Sequence, residues 1–428
     1  MKAYPEYKTS GIDWLGNVPS HWEGSRFKYF LDQITTPSIS THKVALENIE
    51  SATGRYIETS SEFDGNGIGF IVGDILYGKL RPYLQKVWLA EFDGNAIGDF
   101  FVYRPLNNAT SEFIKWLLLS DSFTRIANQS TEGAKMPRVS NDFIRNLSFY
   151  LPPIEEQMAI ARYLDEVTAN INSLMDEKQA QVEDLRKYRS SVITEIVTRG
   201  LNPDVSLRPS GIDWLGDIPE HWNDTKLKYL ATKVGSGVTP RGGSEVYSDS
   251  GILFLRSQNI YDDGLHLDDP KYISAEIDED MSNSRVFKND LLLNITGASI
   301  GRCCLYNLAE SANVNQHVCI VRVMEKISPL YLKLVINSRI GQTQIALYQT
   351  GGNREGLNYE QLRNFYIPLP PLSEQLQIAD YLDEKTAKID TLIEELEAQL
   401  SDLATYKQAV ITEAVTGKVD VRDWTPKS

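Results

Sequence analysis

Gly73 to Lys79, GDILYGK, fits the GxxxxGK spacing of a phosphate-cradling loop. Such a loop needs Ser or Thr next, to bind magnesium, and then a helix. Leu80, Arg81 and Pro82 follow instead, so the run reads as a strand ending in a turn that presents Lys79, Arg81 and Lys86. Cys303, Cys304 and Cys319 are too few for a disulfide framework and cannot alone supply four zinc ligands. A mixed site with His317 is conceivable; the simpler reading is buried thiols. The glycine pair of RGGSEVY does not follow a strand and open a helix, and no Asn-Pro-Pro-aromatic tetrapeptide, HExxH, GxSxG or metal-carboxylate cluster is present. The sequence therefore predicts a non-catalytic chain with no cofactor of its own.

What remains are loops rich in Arg, Lys, Asn, Gln and Thr. In the N-terminal half these are residues 78–86, GKLRPYLQK, and 132–140, EGAKMPRVS, whose candidates are Lys79, Arg81, Lys86, Lys135 and Arg138. In the C-terminal half they are SGVTPRGG, LRSQN, ITGASIGR, NVNQH and GGNREGLN. Their candidates are Arg241, Arg256, Gln258, Asn259, Arg302, Asn315, Gln316 and Arg354. Arg and Lys suit guanine edges or phosphates, and Asn and Gln suit adenine edges. One such loop is an ordinary solvated surface; the set points to DNA.

These loops need a frame, and the frame is repeated. LPPIEEQMAIARYLDEV opens at Leu151, with two prolines to start a helix and two glutamates facing the positive end of its dipole. Apolar residues then fall at Ile160, Leu164, Val167, Ile171, Leu174, Val182, Leu185, Val192 and Ile196, a coiled-coil seam with a stutter near Lys178. LPPLSEQLQIADYLDEKTAKIDTLIEELEAQL from Leu369 repeats the pattern without a gap, placing Gln375 where Gln157 stands and Leu382 where Leu164 stands. Two helices of about 45 residues would each run roughly 60 to 70 Å. SGIDWLGNVPSHW at 10–22 also recurs as SGIDWLGDIPEHW at 210–222. Trp14, His21, Trp22 and their copies read as structural residues that seat each globular unit on the helices.

The whole chain is thus a tandem duplication, divided as 1–150, 151–205, 206–368 and 369–428. The first and third segments are globular. Short β-type runs (VALENIE, GFIVGDILYG, KVWLA and IGDFFVYRP; then GILFLRSQNI, DLLLNITG, GRCCLYN and VNQHVCIVRV) alternate with turn residues. One amphipathic helix is predicted around Ser111–Asn128 and another around Ser328–Tyr348. The fold class is α+β, two mixed sheet-rich units joined by two long helices. A compact unit brings its ends together, so the end of the first helix lies near the start of the second and the pair is antiparallel, with a pseudo-two-fold axis across it.

The 428 residues carry a net charge of −15, which taken alone argues against nucleic acid. The excess is concentrated in the helices, while 1–150 and 206–368 are close to neutral and leave room for a basic face. No run of about 18 apolar residues suggests a membrane span, and Met1 to Tyr7 lacks a signal pattern. A cytoplasmic protein is expected.

The LPP..EQ..IA.YLDE openings at Leu151 and Leu369, GDILYGKLRPYLQK at 73–86, VALENIE at 44–50, LLLNITGASIG at 291–301 and SGVTP at Ser236–Pro240 together resemble the specificity subunits of type I restriction-modification enzymes. The likeness runs over essentially the full length. It implies two target recognition domains, each reading half of a split, asymmetric site on double-stranded DNA, with the helices as a coiled-coil spacer. It also implies two adenine methyltransferase (modification) subunits docked on the helices and translocase-nuclease (restriction) subunits beyond them. AdoMet, ATP and magnesium would belong to those partners. A spacer of this length suits readers one or two turns of duplex apart, at about 34 Å per turn. Other readings are a specificity subunit serving a solitary methyltransferase without a nuclease, a duplicated coiled-coil scaffold that binds no DNA, and an enzyme with a degenerate nucleotide site.

Overall fold

The structure, a computed structural model, describes residues 2–59, 67–131, 135–349 and 356–425. Its two compact units do not follow chain order. The first comprises Met1–Gln179 with Glu397–Ser428, and the second Ala180–Leu396. Both long helices cross that division: Ile154–Arg199, of 46 residues, and Leu372–Val415, of 44.

Within the first unit, Ile160 and Leu164 near the start of the first long helix share a core with Val410, Ile411 and Ala414 at the end of the second. Within the second unit, Ile193 and Val197 at the end of the first helix share a core with Ile378 and Leu382 near the start of the other. Start meets end in both units, so the helices are antiparallel. Polar pairs mark the same register: Lys178 Nζ donates to Gln399 Oε1 at 2.5 Å, and Arg189 forks onto Asp390 at 2.7 and 3.1 Å. The predicted seam fails at one place. Leu174 is 41% exposed and its copy Leu392 49%. Ile171 and Val182 are buried on one stripe, about three turns apart, whereas Leu174 and Leu392 each sit about 60° round the helix from Ile171 and Ile389.

Among the described residues each unit holds two four-stranded sheets. In the first unit one sheet is antiparallel, in the order Leu31–Ile34, Phe100–Pro105, Ile75–Gly78, Val87–Leu89. The second unit repeats that order with Ala231–Ser236, Val318–Val323, Leu291–Asn294 and Cys303–Leu305. The other sheets diverge. Both centre on a strand, Gly94–Ala96 or Ala312–Val314, with a parallel neighbour on one side and an antiparallel one on the other. The fourth strand joins opposite edges: Pro37–Ser38 pairs with the antiparallel neighbour in the first unit, whereas Lys271–Ile273 pairs with the parallel neighbour in the second. The faces built on these sheets are accordingly unlike.

Each single helix expected around 111–128 and 328–348 is two helices, Ser111–Leu119 and Asp121–Gln129, then Pro329–Asn337 and Arg339–Gln349. Ser120 makes the first break. Its hydroxyl donates to Leu117 O at 2.7 Å, ending one helix, and accepts from Phe123 N at 3.3 Å, starting the next. Ser338 acts alike, donating to Val335 O and accepting from Ile340 N. VALENIE is not a full strand either. Lys43–Val44 is a strand and Ile49 makes a single bridge to Tyr56, but between them the Asn48 side chain takes up Ala45 N and Ile57 O and turns the chain into a short 3-10 helix, Leu46–Asn48.

The repeated tryptophan peptides seat the units as expected: Trp22 and Trp222 are buried, and Trp14 stacks on Phe149 with centroids 5.9 Å apart. Cys303, Cys304 and Cys319 are buried free thiols, and burial pushes Cys304 and Cys319 up to about 12. Among the described residues no group of three or more His, Cys, Asp and Glu is placed to hold a metal, and no helix is long and apolar enough to cross a membrane.

Candidate nucleic-acid interface

In the first unit the strand Ile75–Gly78 runs into a loop whose backbone is strained. Arg81 (φ 51°) and Gln85 (φ 48°) are both left-handed and flank the short helix Pro82–Leu84. Non-glycine residues adopt that conformation at a cost of order 1–3 kcal/mol and cluster where a chain is shaped for function. Gln85 is buried and donates to Thr124 Oγ1 at 2.9 Å, which holds the loop from below. Arg81 N donates to Pro137 O at 2.8 Å and Leu80 bridges to Arg138, so residues 79–86 and 135–139 form one surface.

The structure thus brings together Lys79, Arg81, Lys135 and Arg138, but not as four equal cations. Asp99 takes two of them. Arg138 forks onto its carboxylate at 3.1 and 3.0 Å, and Lys79 approaches at 3.7 Å. Hydrogen bonding from Arg138, joined by the charges of Arg138 and Lys79, holds the Asp99 carboxyl below its usual range against the opposing effect of burial. Lys86 is turned in, donating to Ile49 O at 2.5 Å. Arg81 and Lys135 are exposed and make no ion pair among the described residues.

The second unit presents a cleft of about 450 Å³ instead. Tyr261 is its platform: the His266 ring stacks on it at 4.1 Å and the Arg302 guanidinium lies 4.8 Å from its centre. Gln258, Thr296, Ser299 and His317 also line it. His317 is held at both ring nitrogens, Nδ1 by Thr296 Oγ1 at 2.5 Å and Nε2 by Gln316 Nε2 at 3.0 Å, and its backbone N donates to Asn315 Oδ1 at 3.1 Å. Gln316 in turn bonds Thr239, which ties the loop bearing exposed Arg241 to the cleft rim. That loop contains Gly237, where a Cβ would stand 1.6 Å from Val314 O, so only glycine permits the approach.

Of the residues expected on this side, Gln258, Arg302, Asn315 and Gln316 converge at the cleft. Arg256 does not: its guanidinium bonds Asp269 O at 3.0 Å and its side chain is mostly buried. Asn259 is a correction. It is 3% exposed, its Oδ1 accepts from Arg256 N and its Nδ2 donates to His266 O, so it shapes the turn as Asn48 does in the first unit and has no edge left for a base. Arg354 lies outside the described residues. Composition alone overlooked Tyr261 and His266, for which an aromatic beside basic loops was the available signal; Thr296, Ser299 and His317 lie in loops the sequence singled out without being candidates for DNA contact.

Known proteins frame this geometry. The chain is 26% identical over 441 residues to the type I restriction enzyme EcoBI specificity subunit of Escherichia coli, covering 92% of this chain and 90% of that protein. It is 24% identical to the MjaVIII specificity subunit of Methanocaldococcus jannaschii, covering 99% and 98%. A solved chain from a structural study of complex assembly and conformational transition in a type I R-M system superposes with TM-score 0.72 at 19% identity, over 94% of this chain and 99% of that one, a likeness of fold. The family model described as the type I restriction modification DNA specificity domain matches twice, at residues 30–184 and 219–402. On that double match, the chain belongs to the type I restriction-modification DNA specificity family.

Proposed function

We propose that this chain reads a bipartite, asymmetric site on double-stranded DNA, one half with each unit, for a complex that carries two adenine methyltransferase subunits and translocase-nuclease subunits. One observation supports this above the others: each unit has its own antiparallel sheet of the same strand order and a like set of helix contacts, yet one offers a strained cationic loop and the other an aromatic-floored cleft. Like supports under unlike faces are what two readers of different half-sites require. Arg81 and Lys135 meet phosphate or guanine in the first half-site, and Gln258, Tyr261 and Arg302 meet bases in the second. AdoMet, ATP and magnesium are the partners' cofactors, and the complex works in the cytoplasm.

Mapping methylated adenines in a host that carries this chain with its methyltransferase tests the reading. A split motif with two unlike parts and an unread gap is expected. A single uninterrupted motif overturns it, and so does the absence of any methylation that depends on this chain.

A further inference from the structure

The strained loop of the first unit is tied to the second long helix. Gln85, left-handed and 8% exposed, accepts at Oε1 from Gln408 Nε2 at 3.3 Å, while its own Nε2 donates to Thr124. Its backbone O accepts from Ala52 N at 3.2 Å, and Ala52 is left-handed as well (φ 60°). Ala52 O in turn accepts from Lys407 Nζ at 3.4 Å, whose other bond, to Asn172 Oδ1 at 2.9 Å, crosses to the first long helix. Two adjacent residues of one helix thus hold two strained residues on neighbouring loops.

Each part of this cluster costs free energy. Glycine alone takes up the left-handed conformation without strain. Lys407 is 7% exposed, and burial pulls its pKa below the usual lysine value. Gln408 Oε1 is buried with no partner among the described residues. The second unit is built otherwise. The hairpin bond from Gly78 N to Lys86 O recurs as Asn294 N to Arg302 O, which sets Gly301 (φ 92°) in the place of Gln85. Gly301 O accepts from Gln342 Nε2 at 3.3 Å, a residue of that unit's own helix Arg339–Gln349. The helix repeat sets Ser190 in the place of Gln408 and Arg189 in that of Lys407. Ser190 is exposed, and Arg189 gives both bonds of its fork to Asp390. A rung between the long helices therefore needs no tie to a loop.

We infer that Gln408 and Lys407 are positioning residues for the first half-site: from behind, the spacer helix fixes the pose of residues 79–86 and with it the reach of Arg81. The inference rests on the reading that this loop meets DNA. Strain and an orphaned amide kept behind one loop, where its twin has a glycine and a short serine, mark a pose that function requires. The second reading face, whose loop hangs on a helix of its own unit, is free of this control.

The test uses the full chain with its methyltransferase and compares methylation of the cognate duplex with that of duplexes carrying one substituted base pair in either half. Gln408→Leu and Lys407→Met should each lower discrimination in the first half about tenfold and leave the second half unchanged, which also reports that the variant is folded. Gln85→Gly guards against misfolding, because it copies the second unit and relieves the strain. It should relax the first half to the same extent and leave Gln408→Leu nothing further to remove in the double variant. Full first-half discrimination in Gln85→Gly and Gln408→Leu overturns the assignment, and so does equal relaxation of both halves in Gln85→Gly. If the unaltered complex does not discriminate in the first half, the underlying reading fails instead.

Discussion

Gln157 and Gln375 do the same work with the same atoms, whereas Glu156 and Glu374, one residue earlier, do not. Gln157 Oε1 accepts from Thr110 N, and its Nε2 donates to Asn108 O and Pro152 O. Gln375 repeats this with Ser328 N, Lys326 O and Pro370 O. Glu156 is 5% exposed and takes three donors: Tyr4 Oη at 2.7 Å, Trp22 Nε1 at 2.8 Å and His21 Nε2 at 2.7 Å. Glu374 meets His221 alone at 2.9 Å, and Trp222 Nε1 is buried with no partner among the described residues. The difference is one of connectivity. In the second unit the tryptophan peptide continues covalently from the first long helix. The first unit must gather its peptide from the opposite end of the chain, and it does so by bonds. Asp420 N donates to Lys2 O, Lys418 Nζ donates to Leu15 O, and the Arg422 guanidinium lies 5.2 Å from the Tyr4 ring. Burial, then the bond to Glu156, pushes the Tyr4 phenol well above its usual value, so it stays a donor. Closing a chain over so long a loop costs entropy that the second unit never meets.

The sharpest way to break this comparison is to delete its shared part. Gln157→Leu or Gln375→Leu leaves one backbone donor and two carbonyls unpaired, and each variant should lose about 4 kcal/mol from the unfolding of its own unit, at roughly 1–3 kcal/mol per orphaned group with partial rehydration. Hydrogen exchange, read unit by unit, checks this; losses that differ by more than about 1 kcal/mol would mean the two glutamines are not equivalent.

Next comes the part that differs. Glu156→Ala strands the donors of Tyr4, Trp22 and His21 and should cost about 3 kcal/mol, whereas Glu374→Ala removes one half-exposed contact and should cost under about 1 kcal/mol. Proteolytic cleavage of each unit's own tryptophan peptide, 10–22 for Glu156→Ala and 210–222 for Glu374→Ala, is the readout. Equal gains in cleavage in the two variants would show that connectivity does not explain the extra bonds.

The same contrast marks what was legible in the sequence. Repetition and apolar spacing disclosed the long helices and the correspondence of Gln157 with Gln375, because burial on a helix leaves a period in the residue types, and the closeness of a compact unit's ends gave their antiparallel run. The helix breaks at Ser120 and Ser338 leave no such trace, since one hydroxyl serves two helix ends and a serine within an apolar period looks like any other. The reading faces were legible as loops and less so as residues. Asn259 has the right chemistry for an adenine edge, but a turn claims it, and Asp99 carries the sign opposite to the one sought while deciding which cations are free. Residue type offers chemistry; only packing assigns it.

The faces themselves should separate by salt and by base. Arg302→Ala or Tyr261→Ala should weaken binding of the cognate site by the methyltransferase complex about 10- to 30-fold, roughly 1.4–2 kcal/mol, and relax the second half-site. Arg81→Ala and Lys135→Ala should each lower the salt dependence by about one phosphate contact and leave the second half-site as strict as before. Salt titrations on substrates mutated in one half at a time distinguish these outcomes, and a changed second half-site preference in Arg81→Ala would erase the contrast between the two faces.

The smallest effect tests whether the first face is held in check by its own acid. Asp99→Asn releases Arg138 and Lys79, so affinity for non-cognate duplex at low salt should rise about threefold and the salt dependence should steepen, with little change in stability because the pairs are partly exposed and screened by solvent. The pH dependence has a definite sign. Since Asp99 is held below the usual carboxylate range in the folded chain, the clamp is complete above the unfolded-state value and is lost only as pH falls through the lower folded value. Between pH 5 and 8 the gap between Asp99→Asn and the unaltered chain should therefore stay constant, closing only under acid. A gap that narrows as pH falls from 8 to 6 would place the restraint on some other group, and the arginine-lysine pair would then be free to meet DNA from the outset.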